Sequence, residues 1–427
     1  MATASQTPEN DSGPKPGIIS VLSQWNYGVY TAGSTISLFG MWAHRLAAAW
    51  LAWELTHSSF WVAMVVVADL MPTLFLTPFA GVLADRYDRR HMSIISQVMG
   101  MFQACILGWM YLAGKFTEAS DIWWLIGWTA FLGMAWALNT AARLSMVPNL
   151  VEHNFIPPAV ALNSAIFNLG RVVGPASGAF IIDQWNVGIA FLFNAFTFIF
   201  FIVALWVIRQ VRSDEKPASG AGMLDQLAEG IKHAVRHPGI GPALVLLIAM
   251  AMGGKALLEI LPEFADKVFD RGASGLGEIT AVSGVGGLIA AMWLAQRGHV
   301  RGLTRITILA LLVTGLSIFG FVVTDWYPLA LFSIFVLGVT GIYGGTATQT
   351  LMQHAVDGAM RGRVMSLYGV IHRGAPALGA LVMGTVAEII GIRWGVALGG
   401  IFCLVVWLWM LSRSKTVAVA LEKEHFH

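Results

Sequence analysis

Twelve long apolar runs, rather than any single motif, set the strongest limit on how this chain can fold. They cover roughly residues 28–55, 60–82, 92–113, 122–145, 159–182, 188–208, 240–262, 275–296, 303–323, 328–350, 364–387 and 394–412. Each is close to the ~20 residues that an α-helix needs to cross a bilayer, and most exceed the ~9–11 alternating residues of a membrane β-strand. In lipid every backbone polar group has to be satisfied within its own segment, so runs of this length predict helices. Composition agrees: 56% of the 427 residues are hydrophobic, 12% are charged, and mean hydropathy is +0.69. A soluble domain carries about 25% charged residues, and a soluble chain this apolar would aggregate through exposed patches. The expected fold class is therefore an all-α membrane protein with twelve transmembrane helices.

Charge placement divides and orients the chain. With the N-terminus inside, 18 of the 26 Lys and Arg residues fall on the cytoplasmic side. Four lie outside (Lys115, Lys267, Arg271 and Arg393) and four within spans (Arg45, Arg171, Lys255 and Arg373). This bias predicts both termini in the cytoplasm. The polar start, with Pro14, Lys15 and Pro16, predicts no cleavable signal peptide. Residues 1–27 read as a cytoplasmic arm, 28–208 as a six-helix bundle, 209–238 as a linker, 239–412 as a second six-helix bundle and 413–427 as a cytoplasmic tail. In the linker Leu224, Leu227, Ala228, Ile231, Ala234 and Val235 form one helical face, with Asp225, Glu229, Lys232 and Arg236 away from it. That pattern suits a helix lying on the inner membrane surface. Cys105 and Cys403 both fall inside spans, which predicts neither a disulfide nor a metal site.

Three motifs stand out. The stretch Gly81-Val82-Leu83-Ala84-Asp85-Arg86-Tyr87-Asp88-Arg89-Arg90-His91 places six Asp, Arg and His side chains in the seven residues 85–91, between two apolar runs. In the fifth span Gly170, Gly174 and Gly178 recur every four residues on one face, where another helix can pack backbone to backbone, and Pro175 adds a kink. Arg171-x-x-Gly174-Pro175-x-x-Gly178 is echoed by Arg373-Gly374-Ala375-Pro376-Ala377-Leu378-Gly379 in the eleventh span, as expected of two related halves. Between spans eight and nine, Gln296-Arg297-Gly298-His299-Val300-Arg301 retains basic residues without acidic ones.

The first stretch resembles the signature loop of the major facilitator superfamily, Gly-x-Leu-Ala-Asp-Arg-x-Gly-Arg-Arg, although Asp88 replaces its second glycine. Gly170-x-x-x-Gly174-Pro175-x-x-Gly178 resembles a fifth-helix motif of superfamily antiporters. Asp357-x-x-Met360-Arg361-Gly362-Arg363-Val364-Met365-Ser366 and the block from Pro148 to Gly178 look closest to the bacterial exporter branch that contains macrolide-efflux and enterobactin-export proteins. The resemblance covers nearly the whole chain. It implies two pseudo-symmetric six-helix bundles working by alternating access, with Gly81, Asp85, Arg86, Arg89 and Arg90 as an inner latch between them. Asp85 would face the start of the eleventh helix near Arg363, where the helix dipole is positive.

Ionisable residues inside a membrane are costly and mark a pathway or a structural pair. Arg45 and Asp69 lie at similar depth, which predicts a pair across the first hairpin, either as a fixed bridge or as a proton site tuned by a cation. Lys255 and Glu259, four residues apart, predict a local bridge or a proton or substrate site. Arg171 and Arg373, facing one cavity, would favour an anionic or carbonyl-rich substrate; structural packing is the other reading. His44 and His372, each beside an arginine, are further titration candidates. The 17 Trp and 19 Met fit an aromatic belt and adaptable packing as readily as a polyspecific pocket.

The expected function is export of a small amphipathic compound, drug or siderophore-like, by a monomeric transporter in a bacterial inner membrane. A proton gradient is the energy source, membrane lipids are the surroundings, and no cofactor, metal or nucleic acid is expected. A lipid or lysophospholipid flippase of the same fold is the main alternative, and a non-transporting receptor a lesser one. A membrane-embedded enzyme would need a nucleophile–base pair or a His-Glu-x-x-His run, and the sequence contains none.

Overall fold

The computed structural model describes residues 18–146, 150–208, 231–232, 234–297, 299–356 and 358–422. The arm up to residue 17, Pro148, the linker over 209–230, Asp357 and the last five residues lie outside the described residues. So do the side chains of Gly81, Asp85 and Arg86.

Among the described residues every regular element is helical. The first half consists of α1 (Trp25–Thr56), α2 (Ser59–Arg86), α3 (Arg89–Leu112), α4 (Ile122–Met146), α5 (Ile156–Gln184) and α6 (Val187–Val207). The second begins with α7, a composite rod over 240–268, followed by α8 (Gly272–Arg297) and α9 (Leu303–Val323). Then come α10 (Tyr327–Ala355), α11 (Gly358–Ile390) and α12 (Ile392–Glu422). Eleven of these rods are long and apolar enough to cross a membrane. The remaining one, α1, has the length at 32 residues but carries His44, Arg45 and a run of Gly, Ser and Thr. The last rod continues ten residues beyond the apolar run that ends at 412, up to Glu422.

Two rods change pitch midway. α7 passes through π-helical turns at Ala251–Lys255 and Phe264–Val268 and breaks at Ile260 (φ −117°, ψ 23°). α10 does so at Tyr343–Ala347. Such wide turns re-aim side chains and occur often at functional sites.

The chain enters α1 and leaves α12 on one face of the bundle, here the terminal face. Side chains close several rod ends. Asp88, in place of the loop's second glycine, caps α3: its Oδ1 accepts from the N–H of Arg90 at 2.8 Å and of His91 at 3.0 Å. Partial burial works against ionisation of Asp88, but those two bonds and the nearby His91 charge outweigh it and hold the carboxyl below its usual range. The corresponding rod of the second half, α9, is capped from a distance. Glu422 accepts from Gly302 N at 2.6 Å and Thr304 N at 2.8 Å. Leu421, fully buried, packs beside Gly239 at the start of α7.

α5 is held between the halves. A Cβ on Gly170 would lie 2.8 Å from Leu38, one on Gly178 would lie 2.8 Å from the Ala43 Cα, and one on Gly174 would overlap Trp42. The glycine face therefore seats α1. The other side of α5 meets α8: a Cβ on Gly284 would lie 2.8 Å from Val172 and 2.9 Å from the Arg171 carbonyl. α2 and α11 form the matching junction, where a Cβ on Gly384 would lie 2.8 Å from the Ser59 carbonyl.

Candidate functional site

The titratable residues of the membrane interior converge near the middle of the rods, but their partners differ from the expected ones. Arg45 on α1 pairs with Glu259 on α7, in the other half, with Nη2 and Oε2 3.6 Å apart. The expected Arg45–Asp69 bridge across the first hairpin is not among the described bonds. Asp69 on α2 lies within electrostatic range of both Arg45 and Glu259, with no ion pair to Arg45 among the described residues.

Lys255 does not bridge to Glu259. Its Nζ lies 2.9 Å from Nε2 and 3.3 Å from Nδ1 of His372 on α11. His372 stacks on Tyr368 (5.2 Å, 23°), and its Nδ1 is 3.1 Å from the Tyr368 hydroxyl. That hydroxyl donates to the Gly345 carbonyl at 3.2 Å, within the π turn of α10. One tautomer satisfies the chain: Nδ1–H donates to Tyr368, and the Nε2 lone pair accepts from the Lys255 ammonium. Three rods and the π turns of α7 and α10 thus meet at Lys255.

Trp42 is the other organising side chain. The Arg45 guanidinium lies 5.3 Å from the indole centroid and the Arg171 guanidinium 5.9 Å. Trp42 also meets Phe167 edge to face, and its indole N–H is buried without a partner among the described residues. Arg171 and Arg373, matched in sequence, are not equivalent in space: Arg171 is half-buried over Trp42, whereas Arg373 is exposed. His44 is buried in the first half against Phe191, and neither ring nitrogen has a hydrogen-bond partner among the described residues.

Further toward the face opposite the termini, two hydrogen bonds tie the halves together. Trp53 Nε1 donates to Asp266 at 3.0 Å, and Ser59 Oγ donates to Glu263 at 2.6 Å. Lys267 pairs with Glu263 at 3.3 Å and sits 4.7 Å over the Trp53 ring. The charged loop between α2 and α3 contributes differently. Arg90 donates to the Trp206 carbonyl and lies over that ring, at the end of α6 in its own half.

Sequence reasoning missed Tyr368, Gly345, Trp42 and the Trp53–Asp266 and Ser59–Glu263 ties. Spacing carried some signal: Glu263, Asp266 and Lys267 share one helical face, and Tyr368 stands four residues before His372.

Known proteins share both the sequence pattern and the fold. A family model described as transmembrane secretion effector matches residues 19–424. The Staphyloferrin A transporter of Staphylococcus aureus is 25% identical, over 90% of this chain and 96% of its own length. The multidrug efflux pump Tap of Mycolicibacterium fortuitum is 24% identical over 82% of this chain and 86% of the pump. The enterobactin exporter EntS of Escherichia coli is 24% identical over 77% of each. Among solved structures, a bacterial homolog of the human lysosomal transporter Spinster, in an inward-facing and unoccupied conformation, aligns with a TM-score of 0.67 at 14% identity. It covers 97% of this chain and all of that one. The xylose transporter XylE from E. coli aligns at 0.63 with 14% identity, over 92% and 96%.

Proposed function

This chain belongs to the transmembrane secretion effector family of major facilitator transporters, and on that premise we propose that it exports a small amphipathic compound in exchange for protons. The two six-helix halves alternate access to a central site, both chain ends lie in the cytoplasm of a bacterial cell, and the face of the Trp53–Asp266 tie is external. The efflux-pump and exporter relatives and the bias of Lys and Arg support the direction and orientation.

One observation carries the coupling argument: the Arg45–Glu259 pair joins the two halves, with Asp69 beside it. Opening the external side pulls α1 from α7 and breaks that pair. An unpaired carboxylate in a membrane interior is costly, so once the external side has opened and substrate has left, Glu259 or Asp69 takes a proton from outside. The return inward carries that proton, and its release to the cytoplasm restores the pair, so substrate leaves as a proton enters. Asp85 and Arg86, with Gly81 allowing close approach, act as the cytoplasmic latch when the external side is open.

The test is reconstitution in liposomes with an imposed proton gradient, screening hydrophobic drugs, siderophores and lysolipids for coupled movement. Gradient-driven flux of one class, lost in Asp69→Asn or Glu259→Gln, is the expected result. Flux that ignores the gradient, or both variants coupling normally, would refute proton exchange.

A further inference from the structure

The cation count at the centre exceeds what the acids there can neutralise. Arg45 is matched by Glu259. Asp69 lies within the field of that pair, while Arg171, Lys255 and Arg373 carry no ion pair among the described residues. Arg171 shares the Trp42 ring with Arg45, whose partner Glu259 stands one turn from Lys255 on α7, so cations of both halves gather at mid-membrane, where an uncompensated charge is costly and marks a substrate or ion pathway.

We propose that Arg171, Lys255 and the Trp42 indole N–H form the receptor for an anionic group of the transported compound, a carboxylate or a phosphate; this rests on the transport reading above. Three features make it a built site. The Trp42 N–H is buried and unpartnered among the described residues, a donor lacking an acceptor. Arg171 lies over the same indole, and its planar fork suits bidentate contact with either oxyanion. Lys255 is held by the His372 ring, fixed in turn by Tyr368 and Gly345, so its Nζ is aimed in one direction with no carboxylate on it among the described residues. Two guanidiniums share one indole, with 5.3 and 5.9 Å to its centroid, and an anion between Arg171 and Lys255 relieves the repulsion among all three cations. His372 and Tyr368 are positioning residues, and the exposed Arg373 widens the attractive field.

The test uses four probes on the full-length protein in nanodiscs: 2-naphthoate, 2-naphthyl phosphate, methyl 2-naphthoate and 2-naphthylmethylammonium. Calorimetric titration of the unmodified protein is expected to show at least one anion binding tenfold or more tighter than ester and ammonium. The carboxylate and phosphate arms decide which oxyanion fits. Arg171→Gln and Lys255→Gln should each reduce the preference below threefold, and Arg171→Lys should restore part of it. Equal or tighter binding of the ester or ammonium overturns the proposal, as does failure of both anions to saturate at millimolar concentration. A preference unchanged in both glutamine variants also overturns it. Because the first readout comes from the unmodified protein, it decides the matter even where a variant misfolds. Proton-driven flux of a neutral or cationic compound without anion preference would sink this receptor and spare the transport reading. Anion binding with no gradient-driven flux of any class would do the reverse.

Discussion

Neutralising either member of the Arg45–Glu259 pair should release the external face, and the size of that release follows from geometry. At 3.6 Å two unit charges attract by about 1 kcal/mol in water and about 5 kcal/mol at an effective dielectric of 20. The side chains are 37% and 29% exposed, so screening removes much of the upper range and leaves about 1–3 kcal/mol. Glu259→Gln or Arg45→Gln should therefore shift the closed-to-open ratio of that face by roughly 5- to 150-fold. Spin labels at Lys115 and Val323, both exposed on that face in opposite halves, report the distance distribution by pulsed dipolar spectroscopy, with Cys105 replaced by Ser. The longer population should grow in each single variant, and the Arg45→Gln/Glu259→Gln double variant should fall short of the sum of the two. Additive single effects, or distributions identical to the unmodified protein, would mean that the pair does not hold the face.

Other changes probe the remaining devices. Asp88→Ala removes the α3 cap, with an expected loss of about 0.5–2 kcal/mol in thermal stability. Its folded pKa lies below the 3.8 of an ordinary aspartate, so the contribution is complete above that value and disappears as pH falls through the lower folded one. Melting curves should show a gap between the two proteins at pH 6 that narrows below pH ~4; a gap that widens on acidification would contradict the cap. Gly178→Ala pushes a methyl against the Ala43 backbone and should cost about 1–3 kcal/mol, while Gly127→Ala, facing open space, should leave the melting temperature unchanged. Indistinguishable melting of the two would remove α5–α1 packing as the reason for the glycine face. Tyr368→Phe deletes the hydroxyl that orients His372 and should weaken anion binding without changing expression; unaltered binding would detach Tyr368 from the site.

The rods were legible because lipid imposes one rule on every segment, and lengths of apolar runs report it directly. α12 overran its apolar stretch because the added turns are held by tertiary contacts, Leu421 on Gly239 and Glu422 on α9, which hydropathy does not register. The central residues were also legible: charges inside apolar runs are conspicuous, and Arg45, Asp69, Arg171, Lys255 and Glu259 do gather. Their partners were not. Local rules join neighbours in a hairpin or on an ideal helix, but α1 meets α7 from across the chain. α7 also departs from ideal pitch at Ala251–Lys255 and breaks at Ile260, so Lys255 reaches α11 while Glu259 reaches α1. The Trp42 cluster carried no signal at all, since its ring sits among 17 tryptophans and only packing selects it.

The two caps of α3 and α9 also imprint an order of assembly. Asp88 is adjacent to the helix it closes, so the first half can finish its terminal face while the ribosome is still at work. Glu422 stands 120 residues after Gly302, and α9 must wait for nearly the entire remaining chain before its leading N–H groups find their carboxylate. Until then the second half keeps an open seam where α7, α9 and α12 will meet. A chain cut short before residue 422 lacks that carboxylate and leaves the leading N–H groups of α9 without their cap.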